Sequence, residues 1–175
     1  MARNLKDIFI ATQANLRQRP AGGGATLSAS TRQVAGLRSE AALRDFRLTL
    51  DQPPALGGDD AGPTPVEVVL AALGACQEMT YRLYAETLGI PLNHVSVKVE
   101  GRLDLRGFLA VEDGVRPGFR DIRAVVEIDS PASADDIERL KATVDRHCPV
   151  LDIIRNVTPT KLELVHNAGR RPVAA

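Results

Sequence analysis

The residues of this sequence best suited to chemistry are its two cysteines, Cys76 and Cys148. Thiols in a reducing compartment do not stay paired, so these two are either inert buried side chains or a reversible redox pair. A thiolate can attack a peroxide oxygen and become a sulfenic acid, which a second thiol then converts into a disulfide. The pair forms no C-x-x-C motif, and the three histidines do not cluster with both thiols. The sequence therefore predicts neither a metal site nor a bound cofactor.

The local sequence leaves the roles of the two thiols open. Cys76 lies in the most apolar segment of the chain, where a free cysteine typically packs as a small hydrophobic side chain. Cys148 precedes Pro149, a residue that suits the first position of a helix. Cys148 then becomes an N-cap, where the positive end of the helix dipole favours a thiolate, and His147 is adjacent. Local reasoning therefore favours Cys148 as the thiolate, although a simple kink between two helices explains the same residues equally well.

Peroxide reduction also needs a cation beside the reacting thiol, to hold it ionised and to polarise the peroxide. Arg38, Arg44 and Arg47 are the candidates because they lie in strand-like runs of the N-terminal half. The alternative for each arginine is an ordinary solvated position on a strand.

The N-terminal half predicts a helical arm followed by a meander of strands. Asn4 suits an N-cap, and helical spacing of apolar residues ends before Arg19 and Pro20, so residues 1–20 are expected to form an amphipathic arm. Alternating runs then predict three strands joined as antiparallel hairpins, because the breaks at Gly36 and Asp45 are too short for crossovers. The runs are Leu27 to Thr31, Leu37 to Leu43 and Phe46 to Leu50.

A long helix is predicted between Thr64 and Gly89. Thr64 and Glu67 form a capping-box pattern, Pro65 suits the first helical position, and Gly89 suits the end. The helix is so poor in charge that we expect it to be buried on most sides and to require an obligate dimer. Its apolar stripe is Val66, Val69, Leu73, Cys76, Met79 and Leu83.

The C-terminal half predicts two half-buried strands, a helix from Ser133 that breaks at Pro149, and a final strand around Leu162 and Leu164. The long loop from Arg106 to Arg120 holds Phe108, Leu109 and Phe119, which are expected to line an apolar substrate entrance. The fold class is α+β with antiparallel sheets around the long helix. Residues 21–168 are expected to form one domain and residues 169–175 a flexible tail.

Composition argues against several classes of partner. Hydrophobic residues make up 44% and charged residues 25%, which is ordinary for a globular domain. The 22 basic and 22 acidic residues cancel, and aromatic residues reach only 3%. Neither a nucleic-acid surface nor an anionic membrane surface is therefore expected. The apolar run after the N-terminus is too short for a signal peptide, so we expect a cytoplasmic protein.

Two motifs resemble the OsmC/Ohr family of hydroperoxide reductases. The first is LGGDDAGPTPVEVVLAALGAC over residues 56–76, and the second is HCPV over residues 147–150. The similarity covers roughly Ala25 to Val165 with the same order of elements. It implies an intertwined homodimer in which the long helices of both subunits pack centrally between two antiparallel sheets, with the active site at the subunit interface.

The resemblance also assigns roles to residues. Cys76 corresponds to the peroxidatic thiol and Cys148 to the resolving thiol. The residues around each cysteine, in contrast, favour Cys148 as the thiolate. Arg38, after the turn at Gly36, matches the catalytic arginine, with Arg44 as the second choice. Val66 stands where characterised members carry a glutamate that pairs with this arginine.

The implied activity is reduction of organic hydroperoxides to alcohols, with a small or protein-bound dithiol, for example of the lipoyl type, as reductant. The rival hypothesis is a non-catalytic redox-sensing or binding protein of the same fold. A third hypothesis is a purely structural dimer in which both cysteines are buried and take part in no reaction.

Overall fold

The structure is a computed structural model and describes residues 4–166. The predicted α+β class with antiparallel sheets is confirmed. In chain order the elements are α1 (Leu5–Gln18), β1 (Ser30–Ala35), β2 (Arg38–Leu43), β3 (Phe46–Leu50), α2 (Pro65–Leu88), β4 (His94–Arg102), α3 (Leu105–Phe108), β5 (Asp121–Asp129), α4 (Ala134–His147) and α5 (Pro149–Arg155).

The first three strands form an antiparallel sheet in the order β1-β2-β3, as the hairpin pattern predicted. Ala35 pairs with Arg38 and Leu43 pairs with Phe46, so both turns contain two residues. Gly36 and Arg44 each take a positive φ in these turns, 49° and 56°. The predicted start of the first strand at Leu27 was wrong. Ser30 already pairs with Ala42 near the end of β2, so earlier residues have almost no strand opposite them.

Helix α2 begins and ends where the sequence predicted. Thr64 and Glu67 form the complete capping box, Pro65 is the first helical residue, and Gly89 ends the helix with a φ of 68°. The expectation of burial on most sides is not met within one chain. Leu73, Gln77 and Tyr81 are buried on one side, whereas Met79 on the other side is 72% exposed. Val66 and Val69, near the start of the helix, are also exposed, at 39% and 42%.

The core of the chain lies where α2 meets the hairpin β4-β5 and helix α4. Leu140 and Val144 of α4 are fully buried against Tyr81 and Ala85 of α2. Gly74 faces β4, where a Cβ would make an ordinary van der Waals contact of 3.5 Å with a methyl group of Val99. These contacts fix the middle of α2 relative to the end of α4, which is where the two cysteines lie.

Two regions remain outside this core. Within residues 4–166, the three-stranded sheet makes no extended contact with α2 or with β4-β5, and every residue of β1 is exposed. The predicted strand around Leu162 and Leu164 was wrong for the single chain. That segment is irregular and both leucines are more than 90% exposed, because alternation only produces a strand where another strand lies alongside.

The loop after β4 opens with the short helix α3, which Asp104 caps, rather than being irregular from Arg106 onward. No helix in the described part of the chain is long and apolar enough to cross a bilayer. The tail predicted for residues 169–175 lies outside the described residues.

Candidate active site

The structure brings the two cysteines together. Cys76 lies half-buried on α2, and Cys148 is buried, 1% exposed, between α4 and α5. Their Sγ atoms are 3.3 Å apart, and the Cys148 thiol donates a hydrogen bond to the Cys76 sulfur. A disulfide requires about 2.05 Å between the sulfurs. A modest local shift is therefore enough to convert this contact into a bond.

The helix break at Pro149 places Cys148, as the sequence predicted. Cys148 ends α4 through a hydrogen bond from its own N–H to the Val144 carbonyl, 2.9 Å. It is also the N-cap of α5, with extended backbone angles of −78° and 111°. This change of direction turns the Cys148 side chain toward α2. His147 does not assist the thiol, because its ring stacks on Tyr84 at 5.4 Å between ring centroids.

The first turn of α5 acts on the Cys76 thiol. Burial raises the pKa of the Cys76 thiol, a backbone hydrogen bond from Val150 lowers it, and the neighbouring Cys148 thiol raises it again. Val150 is the second residue of α5, where backbone N–H groups have no partner inside the helix. The helix-end effect that local reasoning assigned to Cys148 therefore stabilises a thiolate on Cys76. The net pKa is still above the ordinary value of 9.0.

Arg38 and Arg44 are not beside the thiols within one chain. Arg38 is the first residue of β2, the central strand of the three-stranded sheet. Arg44 lies in the turn after β2, with its guanidinium 5.1 Å from the centre of the Phe46 ring. Because β2 ends at Leu43, strand alternation does not place Arg44 on the same face as Arg38. Among the groups of residues 4–166 that shift the Cys76 pKa there is no arginine.

Asp51 was not among the residues selected from the sequence, and it is the most buried carboxylate of the described residues, 2% exposed. Its oxygens accept hydrogen bonds from the N–H groups of Gln52 at 2.8 Å, Asp59 at 3.1 Å and Ala61 at 3.2 Å. The Gln52 hydrogen bond contributes most to a lowered pKa, and the charge of Arg38 acts in the same direction. An Asp directly before a Pro- and Gly-rich loop is the sequence signal for such loop-binding carboxylates.

A cleft of about 560 Å³ lies between α2, β5, α4 and α5, and its lining residues include neighbours of both cysteines in sequence but neither cysteine itself. Leu73, one turn before Cys76, and Leu151, one turn after Cys148, are part of its apolar wall. Gln77 and Tyr81 line it as well, and burial followed by the charges of Asp145 and Glu138 raises the pKa of Tyr81 to about 12. The cleft therefore combines an apolar wall with neutral polar groups and with charged residues, which include Lys141 and Asp145.

Of the three residues expected to line an apolar entrance, Phe119 lines this cleft and packs over Gly101 of β4. Phe108 lies at the end of α3, 56% exposed, and Leu109 follows it, 52% exposed. Both are outside the walls of the cleft. Arg116 and Arg155 line the cleft and were not selected from the sequence.

Comparison with known families decides the identity of this arrangement. The sequence profile of the family described as OsmC-like protein matches residues 57–163, which contain both cysteines. The chain belongs to the OsmC-like protein family. This OsmC-like chain is also 29% identical over 119 residues to a protein of Mycoplasma pneumoniae named hydroperoxide reductase, with 68% of this chain and 79% of the relative covered.

Solved structures show the same fold. An OsmC-like protein from Mycoplasma pneumoniae superimposes with a TM-score of 0.66 at 24% identity, covering 76% of this OsmC-like chain and 89% of that structure. The structure of an organic hydroperoxide resistance protein OsmC from Legionella pneumophila gives a TM-score of 0.58 at 24% identity, with coverage of 75% and 92%. The OsmC-like fold that the two motifs predicted for the single chain is confirmed.

Proposed function

We propose that this OsmC-like protein reduces organic hydroperoxides to alcohols by a two-thiol mechanism. The observation that carries the proposal is the 3.3 Å contact between the sulfurs of Cys76 and Cys148. The Cys76 thiolate attacks the terminal peroxide oxygen, the O–O bond breaks, and the alkoxide leaves as the alcohol after taking a proton. The Cys148 sulfur then attacks the Cys76 sulfenic acid, water leaves, and a disulfide forms. A dithiol supplies two electrons and two protons to regenerate both thiols.

Two features favour Cys76 as the first nucleophile. Its sulfur accepts a hydrogen bond from the Val150 N–H, which favours a thiolate. It is also the more exposed of the two cysteines, since Cys76 is half-buried and Cys148 is 1% exposed. A peroxide arriving from solvent therefore meets Cys76 first, and Cys148 is positioned to resolve the product.

A homodimer completes this site in the proposal. The apolar residues Val69 and Met79 of α2 are exposed in the single chain, and the three-stranded sheet carries Arg38 without packing on its own core. Exposed apolar surfaces of this kind mark protein interfaces. A second copy that covers α2 with its own three-stranded sheet brings its Arg38 to the thiol, and supplies the cation that the single chain does not place there.

The cleft between α2, β5, α4 and α5 is the proposed seat of the organic part of the hydroperoxide. Leu73, Leu151 and Phe119 give it apolar walls that accept a hydrocarbon group. The exposed Phe108 and Leu109 extend the apolar surface at the neighbouring loop. The site uses no metal or cofactor in this scheme, and its setting is the cytoplasm, where dithiol reductants are maintained.

A redox-sensing or binding protein with the same thiol pair is the second candidate. The observation that favours it is the raised pKa of Cys76 in the single chain, caused first by burial. A thiol with a raised pKa reacts slowly with peroxide because only the thiolate is the nucleophile.

Turnover with cumene hydroperoxide distinguishes the two candidates, using dihydrolipoamide or dithiothreitol as reductant. The proposal expects catalytic consumption of peroxide by the native protein and none by Cys76→Ser. Cys148→Ser serves as the matched control, because it keeps the first thiol and is expected to consume one equivalent and then stop. Oxidation of the native thiols without turnover favours the sensing function.

A further inference from the structure

We infer that Asp51 is a positioning residue for Arg38, and that it acts on the reacting thiol only through that arginine. The inference rests on the proposed function, in which the guanidinium of Arg38 stabilises the Cys76 thiolate of a second copy. It assigns a role to a carboxylate that lies outside the chemistry of the two thiols.

The strand register, extended by one residue, brings Arg38 and Asp51 opposite each other. Ser39 of β2 pairs with Leu50, the last residue of β3, and Arg38 and Asp51 are the next residues on either side. Directly opposed residues of antiparallel strands have Cβ atoms about 4.5–5.5 Å apart, which is within reach for a charge pair. Arg38 is half-buried and Asp51 is buried. The attraction between them is therefore screened less by water than that of a surface pair.

Asp51 is held as a fixed anion by the loop that follows it. Three backbone N–H groups of residues 52–61 donate to its two oxygens. The loop lies tightly against the strand ends, since a Cβ at Gly58 would lie 2.8 Å from an Asp51 oxygen and a Cβ at Gly62 would meet the Thr49 carbonyl group. A carboxylate bound in this way cannot follow the arginine, so the arginine must adopt the geometry that the carboxylate sets.

The neighbouring carboxylates are already engaged elsewhere. Glu67 accepts hydrogen bonds from the N–H and the hydroxyl of Thr64, at 2.7 and 2.8 Å, in the capping box of α2. Glu40, two residues beyond Arg38 on the same face of β2, accepts the Thr49 hydroxyl at 2.8 Å. Asp51 differs from both in its position, because it follows the β3 residue that pairs next to Arg38, and the charge of Arg38 acts on its carboxylate.

A double-mutant cycle tests the inference in the Cys148→Ser background, where Cys76 is the only thiol. The measurement is the pH profile of Cys76 alkylation by monobromobimane in the dimer. Arg38→Met and Asp51→Asn are each expected to raise the apparent pKa of Cys76. An increase of about one unit corresponds to about tenfold less thiolate near neutral pH. In the Arg38→Met background, Asp51→Asn should cause no further shift, and Asp51→Glu should restore part of the native profile.

Asp60→Asn is the matched control for charge. Asp60 lies in the same loop, is exposed, and has a φ of 56°, a backbone conformation that Asn accepts. It should leave the profile unchanged. The positioning role is overturned if Asp51→Asn shifts the profile equally with and without Arg38, since the effect then comes from the loop. It is also overturned, with the proposed function intact, if Arg38→Met shifts the profile and Asp51→Asn does not. An unchanged profile in Arg38→Met instead removes Arg38 from the proposed function, and the role of Asp51 with it.

Discussion

The backbone N–H of Val150 provides the sharpest test of how the helix break tunes Cys76. Val150→Pro removes this donor, and Pro is tolerated in the first turn of a helix because that N–H has no helical partner. A hydrogen bond to a charged group contributes about 1.5–3 kcal/mol. Its loss from the thiolate therefore raises the Cys76 pKa by about 1–2 units.

The expected change in rate is smaller than the change in thiolate concentration. The thiolate fraction at neutral pH falls about 10- to 100-fold, but a more basic thiolate is a better nucleophile, with a Brønsted coefficient of about 0.5. Alkylation of Cys76 near pH 7 should therefore slow about 3- to 10-fold. The assay is the bimane alkylation rate against pH, measured in the Cys148→Ser background.

Val150→Ala is the control, because it shortens the same side chain and keeps the N–H. It should react like the parent protein, and circular dichroism should show that both variants keep their helices. If Val150→Pro and Val150→Ala alkylate at the same rate across the pH range, the amide does not stabilise the thiolate and the reasoning about α5 fails.

Three further predictions concern stability and assembly. Leu140→Ala removes a fully buried side chain between α4 and α2. It should lower the free energy of unfolding by about 2–5 kcal/mol in urea titrations. Lys141→Ala, on the exposed side of α4, is the control and should change the free energy of unfolding little. The pKa of Asp51 is lowered in the folded chain, so the stability it contributes is present above the ordinary value of 3.8 and is lost as pH falls through the folded pKa. Unfolding curves between pH 7 and pH 3 should therefore show less acid sensitivity in Asp51→Asn than in the native protein. Light scattering should find a dimer at micromolar concentration and a folded monomer for Met79→Arg, since Met79 is 72% exposed in the single chain; a native protein that is a stable monomer contradicts the proposed assembly.

Local signals were sufficient for the elements that carry the thiols. The caps at Thr64 and Gly89 set the ends of α2, and Pro149 set the break that turns Cys148 toward it. Each of these rests on the conformational limits of one or two residues, which are properties of the sequence itself. The pairing of the two cysteines was predicted from the family motifs, because the spacing of the cysteines alone does not indicate it.

Long-range contacts account for what the sequence did not predict. Leu162 and Leu164 alternate like a strand, but a strand needs a neighbour, and the single chain provides none there. The hydrogen bond from Val150 to Cys76 joins two segments that are distant in the sequence. Neighbouring residues alone therefore predicted that the helix N-terminus would stabilise a thiolate on Cys148. Asp51 resembled a solvated strand residue because its partners come from a folded loop up to ten residues further along the chain.

The most direct test of the central claim is the fate of the two thiols after a single turnover. One equivalent of organic hydroperoxide is added to the reduced protein, and the peptides are mapped by mass spectrometry. The two-thiol mechanism predicts that both thiols are consumed and joined in an intrachain Cys76–Cys148 disulfide. Cys76→Ser should not react, and Cys148→Ser should stop at a sulfenic acid that excess peroxide over-oxidises. Two free thiols after treatment, or a Cys76→Ser variant that reacts like the native protein, would contradict the account.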